Sequence, residues 1–229
     1  MKSYLSAFWA LLFPRTCMAC REVLAEGEDT ICTNCLFELP LTNSIAQNDD
    51  TVALKFAGKI PIESTHAYLR FRKGGRVQQL MHQLKYEGHQ EVGELLGRMF
   101  GAELKKAGFA EQVDLLIPVP IHESRLRQRG YNQSDSIARG VSERLQVSWS
   151  NEVLRKELAT ESQTRKSRIE RFQNVANVFQ VIRPELIKNQ RVALIDDVVT
   201  TGSTLESCAQ SLLASGCSGV HIWTLATAM

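Results

Sequence analysis

The sequence has no large excess of charge of either sign. It holds 27 lysines and arginines against 25 acidic residues, which gives a net charge of +2 at neutral pH. Nucleic-acid binding by a whole chain depends on the neutralisation of many phosphates, so this balance does not indicate it. Any nucleic-acid site must therefore come from local clusters of basic residues.

The sequence also lacks an apolar run long enough to span a bilayer. Residues 1–14 superficially resemble a secretory signal, with one lysine and an apolar stretch that ends at Pro14. No small-residue cleavage site follows, because Arg15 leads directly into a group of cysteines. We predict a short apolar helix that packs on the protein's own core, with peripheral membrane contact as the minor alternative.

No internal repeat appears along the 229 residues, of which 44% are hydrophobic. This length suits one α/β domain of ordinary size and a small accessory module. Residues 40–58 mix Asn, Asp, Ser and Thr with little periodicity, and we interpret them as a linker or a loosely packed extension. The predicted domains are an apolar leader with a cysteine module over residues 1–45 and a larger domain over residues 60–229.

Four of the six cysteines have the spacing of a metal site. Cys17-x-x-Cys20 and Cys32-x-x-Cys35 form paired knuckles, which place four thiolates tetrahedrally around zinc. Two disulfides are the alternative, but no export signal supports an oxidising compartment. Because four protein ligands leave no open position, we predict a structural zinc site. The other two cysteines are expected to be buried small hydrophobic residues: Cys208 and Cys217.

Residues 192–204 join an apolar strand to two carboxylates and a glycine turn. Four apolar residues bounded by charge predict a strand covered on both faces, as in a parallel sheet. A helix begins near Ser203, and Gly202 allows a turn with positive φ. Unpaired backbone N–H groups and the positive end of that helix favour a phosphate. The predicted phosphate site is formed by Thr200, Thr201, Gly202, Ser203 and Thr204.

The adjacent carboxylates Asp196 and Asp197 repel one another unless a cation or hydroxyl donors compensate them. The vicinal hydroxyls of a ribose, with Mg²⁺ nearby, supply that compensation, so we predict that both carboxylates face a ligand crevice. The alternative is that the pair only caps the next helix. The order of strand, acids, glycine turn and helix favours the binding role.

Two basic segments are candidate polyanion sites. In the first, three arginines alternate beyond an apolar strand at residues 113–117, where ligands bind in parallel sheets. Guanidinium groups pair phosphate oxygens, so we interpret this segment as a binding loop, with a solvated basic loop as the alternative. These arginines are Arg125, Arg127 and Arg129. The second segment is predicted to be a flexible lid on pyrophosphate or a groove for a nucleic-acid backbone. Its basic residues are Arg165, Lys166, Arg168 and Arg171.

The remaining periodicity predicts an α/β arrangement. Residues 66–72 alternate like a strand and end at the Gly74–Gly75 turn. Two helices follow, with apolar stripes over residues 77–84 and 92–104. A final strand is predicted over residues 220–225.

Together these motifs resemble the ComF family. Residues 192–204 resemble the phosphoribosyl-pyrophosphate (PRPP) motif of type I phosphoribosyltransferases. That resemblance implies Asp196 and Asp197 on the ribose hydroxyls, where they are also the expected catalytic residues, with Val198 and the Thr200–Thr204 turn completing the PRPP site. The further motifs that carry the resemblance are Phe13-Pro14-Arg15-x-Cys17, Leu84-Lys85-Tyr86-x-Gly88, Pro118-Val119-Pro120, Arg129-Gly130-Tyr131-Asn132-Gln133, Gln163 and Arg171-x-x-Asn174-Val175.

The resemblance implies an N-terminal zinc ribbon and a type I phosphoribosyltransferase-like parallel sheet flanked by helices. It implies a cytoplasmic protein of natural competence that handles incoming single-stranded DNA, with PRPP and Mg²⁺ as ligands. A helicase or a DNA-processing protein of competence is the kind of partner it implies. A catalytic phosphoribosyltransferase acting on a nucleobase is the alternative, although the sequence identifies no acceptor site. A PRPP-sensing regulator is disfavoured, since no helix-turn-helix pattern precedes the domain.

Overall fold

The structure is a computed structural model that describes residues 13–47, 51–156 and 178–228. The strands are β1 (Ser64–Phe71), β2 (Leu115–Pro118), β3 (Leu154–Lys156), β4 (Phe179–Val181), β5 (Arg191–Val199) and β6 (Gly219–Ala228). The α-helices are α1 (Thr33–Phe37), α2 (Ser44–Gln47), α3 (Arg76–Tyr86), α4 (Gln90–Lys106), α5 (Glu123–Arg129), α6 (Gln133–Leu145) and α7 (Ser203–Ala214). Short 3₁₀ turns occur at Ala53–Lys55, Phe109–Glu111 and Pro184–Leu186.

A four-stranded parallel sheet forms the centre of the large domain. Its strand order is β1-β6-β5-β2, and β3 pairs with β4 in a separate antiparallel sheet. Ala193 and Ile195 of β5 pack in the core with α3, α4 and α6, whereas Val192 and Leu194 pack in a second core with α7. Helices therefore cover both faces of the sheet, and the predicted fold class is confirmed.

Both edges of the sheet are paired with irregular chain. Residues 40–42 run antiparallel to β1, where Thr42 N donates to Tyr68 O at 3.0 Å and Arg70 N donates to Pro40 O at 2.8 Å. At the other edge, Leu116 N of β2 donates to Ser148 O at 2.9 Å. These isolated bridges cover part of each edge strand and shorten the stretch that is open to pairing with another chain. The first of these pairings also joins the cysteine module to the sheet.

The predicted linker packs more closely than its composition suggests. Val52 and Phe56 are each only 2% exposed and lie in the same core as Val199 and Leu205. These two apolar residues are four positions apart, so one helical turn places both on the buried side. The prediction of a loose extension is therefore wrong at residues 51–58.

Several other local predictions are confirmed. The strand at 66–72 is β1, the two striped helices are α3 and α4, and the final strand is β6. Cys208 and Cys217 are buried. The apolar leader at residues 1–12 lies outside the described residues. Within the described residues, no helix is both long enough and apolar enough to cross a bilayer.

Candidate functional site

The paired carboxylates stand near the carboxyl end of β5, where the chain itself supplies their compensating groups. Asp196 Oδ1 accepts a hydrogen bond from Ser134 Oγ at 3.1 Å and from the backbone N–H of Asp197 at 2.9 Å. The ammonium of Lys85, on α3, lies 2.6 Å from Asp197 Oδ2. The two groups form an ion pair, but their geometry is not that of a hydrogen bond. Asp197 Oδ2 is therefore a buried oxygen without a hydrogen-bond partner. One hydroxyl and one cation thus offset the repulsion.

Burial and the adjacent charge make Asp196 a weak acid. Burial, followed by the charge of Asp197, raises the pKa of Asp196 from 3.8 to about 7. Hydrogen bonds from Asp197 N and Ser134 oppose this shift because they favour the charged form. Asp196 is therefore poised between its neutral and charged forms near neutral pH.

The two carboxylates differ in their access to solvent. Asp196 is half-buried and lines a small cavity with the following turn. The Asp197 side chain is only 7% exposed and is closed off by Lys85. The structure therefore directs Asp196 to the cavity and Asp197 to the lysine, while the binding of ribose by both carboxylates stays a prediction.

The glycine turn after β5 encloses the cavity, which has a volume of about 90 Å³. Gly202 has φ +84° and precedes α7, which begins at Ser203 as predicted. Because Gly202 has no side chain, it caps none of the first N–H groups of α7. Hydroxyls add further donors, and Thr201 Oγ1 lies 3.1 Å from Ser203 Oγ. The cavity is lined by Asp196, Val198, Val199, Thr200, Thr201, Gly202, Ser203, Thr204 and Leu205.

The first basic segment is a helix, α5, and the prediction of a loop is wrong. Residues two apart on a helix point in nearly opposite directions, so the three alternate arginines do not share one face. Arg127 pairs with Glu123 at 3.4 Å, and Arg129 donates to Gln133 Oε1 at 2.7 Å. Arg125 is exposed. The second basic segment, with Arg165, Lys166, Arg168 and Arg171, lies outside the described residues.

Residues between α5 and α6 hold the site together. Asn132 caps α6 by accepting from Ser134 N at 3.2 Å, and its amide donates to Val119 O at 3.1 Å. The Tyr131 hydroxyl donates to Leu84 O, beside Lys85. These bonds position Ser134 and Lys85 against the carboxylates. Sequence reasoning gave neither residue a role, although Lys85 belongs to a motif that carries the family resemblance.

A larger cavity of about 810 Å³ lies between the end of β2 and the β3–β4 sheet. Asp135 faces it and accepts hydrogen bonds from Asn132 at 2.7 Å and Asn151 at 2.9 Å. Burial raises the pKa of Asp135, and the two amide donors oppose the shift. The sequence indicated one wall of this cavity, the chain that follows the strand at residues 113–117, but not the others, because they come from segments far apart in the chain. Other residues that line it are Pro118, Pro120, Ile121, Glu123, Leu126, Glu152, Leu154, Arg155, Lys156, Ile182 and Arg183.

The four predicted metal ligands come together in the N-terminal module. The Sγ atoms of Cys17, Cys20, Cys32 and Cys35 all lie within 4.8 Å of one another. Backbone N–H groups point at the sulfurs, with Cys32 N 3.3 Å and Ala19 N 3.4 Å from Cys17 Sγ. Burial disfavours the Cys17 thiolate, but backbone donors outweigh it and lower the pKa of Cys17 to about 7. Four clustered sulfurs with thiolate-stabilising donors fit a tetrahedral metal such as zinc.

Comparisons with known proteins cover nearly the whole chain. The sequence model of the Phosphoribosyl transferase domain family matches residues 136–229. The DNA utilization protein YhgH of Shigella flexneri is 30% identical over 238 residues, which cover 94% of this chain and 98% of that protein. Competence protein F of Haemophilus influenzae is 31% identical over 153 residues, 65% of this chain and 67% of that protein. Among solved structures, the glutamine PRPP amidotransferase from B. subtilis complexed with ADP and GMP is 17% identical with a TM-score of 0.44, covering 63% of this chain and 30% of that one.

Proposed function

The chain belongs to the ComF family of DNA-utilisation and competence proteins, and we propose that it handles incoming single-stranded DNA in the cytoplasm and binds PRPP with Mg²⁺ at residues 196–204. A helicase or a DNA-processing protein of competence is the proposed class of protein partner. The observation that carries the PRPP proposal is the cavity shared by Asp196 and the turn from Thr200 to Thr204. It combines a carboxylate for ribose hydroxyls with backbone and hydroxyl donors for a phosphate.

Each part of PRPP has a matching group in this pocket. Asp196 accepts hydrogen bonds from a ribose hydroxyl, and Asp197 joins it once Lys85 gives up its ion pair. The turn and the first N–H groups of α7 hold the 5-phosphate. When bound with PRPP, Mg²⁺ supplies positive charge against the pyrophosphate. The released Lys85 ammonium then stands beside the ligand as a second cation.

Calorimetric titration with PRPP and Mg²⁺ tests this proposal. The wild-type protein is expected to bind, and the double variant Asp196→Ala with Asp197→Ala is expected to lose binding while staying folded. Asp29→Asn is the matched control, because it removes an exposed carboxylate of the cysteine module that pairs only with Arg15 among the described residues. Unchanged affinity in the double variant would contradict the pocket assignment.

Single-stranded DNA binding is supported by the family and by the exposed arginines of α5. Arg125 and Arg127 stand on the helix that follows the carboxyl end of β2. Arginine neutralises backbone phosphate, so affinity for a labelled oligonucleotide should fall as salt rises, with a slope of about −0.7 per phosphate contact. Anisotropy titrations would measure the affinity of two multiple variants. One is the double variant Arg125→Ala with Arg127→Ala, and the other is a quadruple alanine variant of Arg165, Lys166, Arg168 and Arg171. Both are expected to bind the oligonucleotide more weakly than the wild-type protein, and Lys188→Ala is the control. A salt-independent or absent affinity in the wild-type protein would reject DNA binding.

The large cavity favours one second candidate, a catalytic phosphoribosyltransferase. Its volume of about 810 Å³ leaves room for an acceptor beside the proposed PRPP pocket, because β2 and β5 are neighbouring strands. In this reaction an acceptor replaces pyrophosphate on the sugar, with Asp196 and Asp197 holding the ribose. Purified protein with PRPP, Mg²⁺ and a panel of nucleobases should then release pyrophosphate. If none of the bases supports release, the protein is not a nucleobase phosphoribosyltransferase.

A further inference from the structure

A segment outside every recognised motif packs behind the glycine turn. We call residues 51–59 the brace. Val52 and Phe56 anchor it, since each is 2% exposed and lies in one core with Val199 and Leu205 on either side of the turn. The brace is therefore fixed against both the strand and the helix that flank the turn.

Lys55 of the brace contacts the turn directly. Its ammonium donates to Thr200 O at 2.7 Å. The carbonyl and the following N–H of a trans peptide point in opposite directions. A Thr200 carbonyl directed at Lys55 therefore directs the N–H of Thr201 away from the brace. Within the described residues, this N–H has no hydrogen-bond acceptor.

Phe56 and Lys59 restrict the position of the turn further. A Cβ atom on Gly202 would lie 2.9 Å from Cε1 of Phe56, so the ring packs directly against the glycine. Lys59 pairs with Glu206 of α7 at 3.4 Å and donates to Lys55 O at 2.9 Å. The ring holds the turn from behind, and Lys59 ties the brace to the helix that starts there.

We propose that Lys55 is a positioning residue for the phosphate monoester site at the turn. By holding the Thr200 carbonyl, Lys55 keeps the Thr201 N–H directed at the phosphate, and its charge adds to the positive potential of the turn. The inference rests on the proposed function of this pocket. It assigns the contact to a sugar 5-phosphate, whether that group belongs to PRPP or to ribose 5-phosphate.

Calorimetric titrations with three probes test the assignment: PRPP with Mg²⁺, ribose 5-phosphate, and pyrophosphate with Mg²⁺. Lys55→Met keeps the length of the side chain but removes the donor and the charge. It should weaken PRPP and ribose 5-phosphate about tenfold, the size expected for one charge-assisted hydrogen bond, and leave pyrophosphate binding unchanged. Lys55→Arg should restore most of the affinity. Lys188→Met removes the same charge from an exposed position ahead of the amino end of β5, away from the turn, and should change each affinity less than about twofold.

The pattern across probes separates positioning from a general structural effect. Equal weakening of pyrophosphate, or equal losses in Lys188→Met, would mean that Lys55 acts through overall charge or folding and would overturn the proposal. Unchanged affinity of Lys55→Met for both sugar phosphates would overturn it while the proposed function stands. If the wild-type protein binds neither sugar phosphate, the proposed function fails and this inference fails with it. Lys55→Leu, which also lacks a donor and a charge, replaces Lys55→Met if the latter does not fold, with the same expected losses and the same contradicting result.

Discussion

At the scale of single residues, Asp196 shows how the chain tolerates two adjacent acids. The sequence predicts that a cation or hydroxyl donors must compensate the pair, and Lys85 and Ser134 fill these roles. Compensation is incomplete, because the pKa of Asp196 stays at about 7. The remaining burial and repulsion of the Asp196 charge lower the stability of the fold at neutral pH. A ligand that brings hydroxyl groups and a cation can offset this loss.

Asp196→Asn should stabilise the protein increasingly as pH rises from 5 to 8. The pKa of Asp196 is higher in the folded state than its ordinary value of 3.8, so its stabilising contribution is fully present below 3.8 and is lost as pH rises towards about 7. Asparagine stays neutral and keeps an acceptor for Ser134. The gain between pH 5 and pH 7 should be on the order of 2 kcal/mol in the free energy of unfolding.

Denaturant unfolding of both proteins across this range is the measurement. Subtracting one curve of unfolding free energy against pH from the other separates the contribution of Asp196 from that of His66. The pKa of His66 is lowered to about 4 by burial and the charge of His221. That lowered pKa makes the histidine contribution rise with pH, the opposite sign, and it is common to both proteins. Parallel stability curves would show that Asp196 does not titrate as described.

At the scale of elements, three buried glycines determine how α4 meets α6. Gly93, Gly97 and Gly101 are four residues apart and share the face of α4 that packs on α6. A Cβ on Gly97 would lie 2.5 Å from the backbone oxygen of Ile137, and one on Gly140 would lie 2.2 Å from that of Glu94. The two backbones therefore approach too closely for any larger residue.

Gly97→Ala should destabilise the protein by about 2–3 kcal/mol, because the added methyl group meets backbone that cannot rotate away. Alanine has the higher helix propensity, so without this contact the same change would stabilise α4 by about 1 kcal/mol. Thermal and denaturant unfolding would measure the effect. Glu103→Ala, at an exposed position of α4, is the control and should have little effect. A Gly97→Ala variant that matched or exceeded wild-type stability would contradict the close approach.

Hydrophobic periodicity predicted a helix or strand correctly where the apolar residues of that element are the ones that are buried. In α4 the apolar stripe is confirmed at Val92, Leu96, Phe100 and Leu104, which are all buried. The sequence analysis did not predict the glycine face of α4, because hydrophobic periodicity detects apolar side chains and glycine has no side chain. For α5, the alternating arginines suggested a loop, but His122 caps a helix by accepting from Ser124 N at 3.1 Å.

At the scale of the whole molecule, the cysteine module and the sheet domain are joined by more than a linker. Residues 40–42 pair with β1, and Arg76 of α3 forms an ion pair with Glu38 beside the cysteine cluster. The hydrogen bond to Glu38 raises the pKa of Arg76. Folding of the cysteine module is therefore coupled to contacts with the large domain.

We predict that the four-cysteine cluster binds zinc, and that Cys17→Ser releases it and lowers thermal stability. Cys17 Sγ accepts hydrogen bonds from backbone N–H groups of both knuckles, Ala19 N in its own and Cys32 N in the other, so the substitution removes a ligand at the point where the knuckles meet. Metal content by mass spectrometry or elemental analysis, with the melting temperature, would check this. Cys217→Ser is the control, because Cys217 lies outside the four-cysteine cluster and should leave the metal content unchanged. Retention of one equivalent of metal by Cys17→Ser would show that the ligand set is wrong.

The sequence by itself determined the cysteine knuckles, the strands near residues 66–72, 113–117 and 220–225, the two striped helices, and the strand, acid pair and glycine turn at residues 192–204. These features are local, because ligand spacing, hydrophobic period and turn chemistry are set by residues close together in the chain. Only the tertiary structure decided that Lys85 and Ser134 compensate the acids, that Lys55 holds the turn, and that glycines join α4 to α6. Each of these contacts joins segments more than thirty residues apart, and their approach depends on the packing of the whole domain.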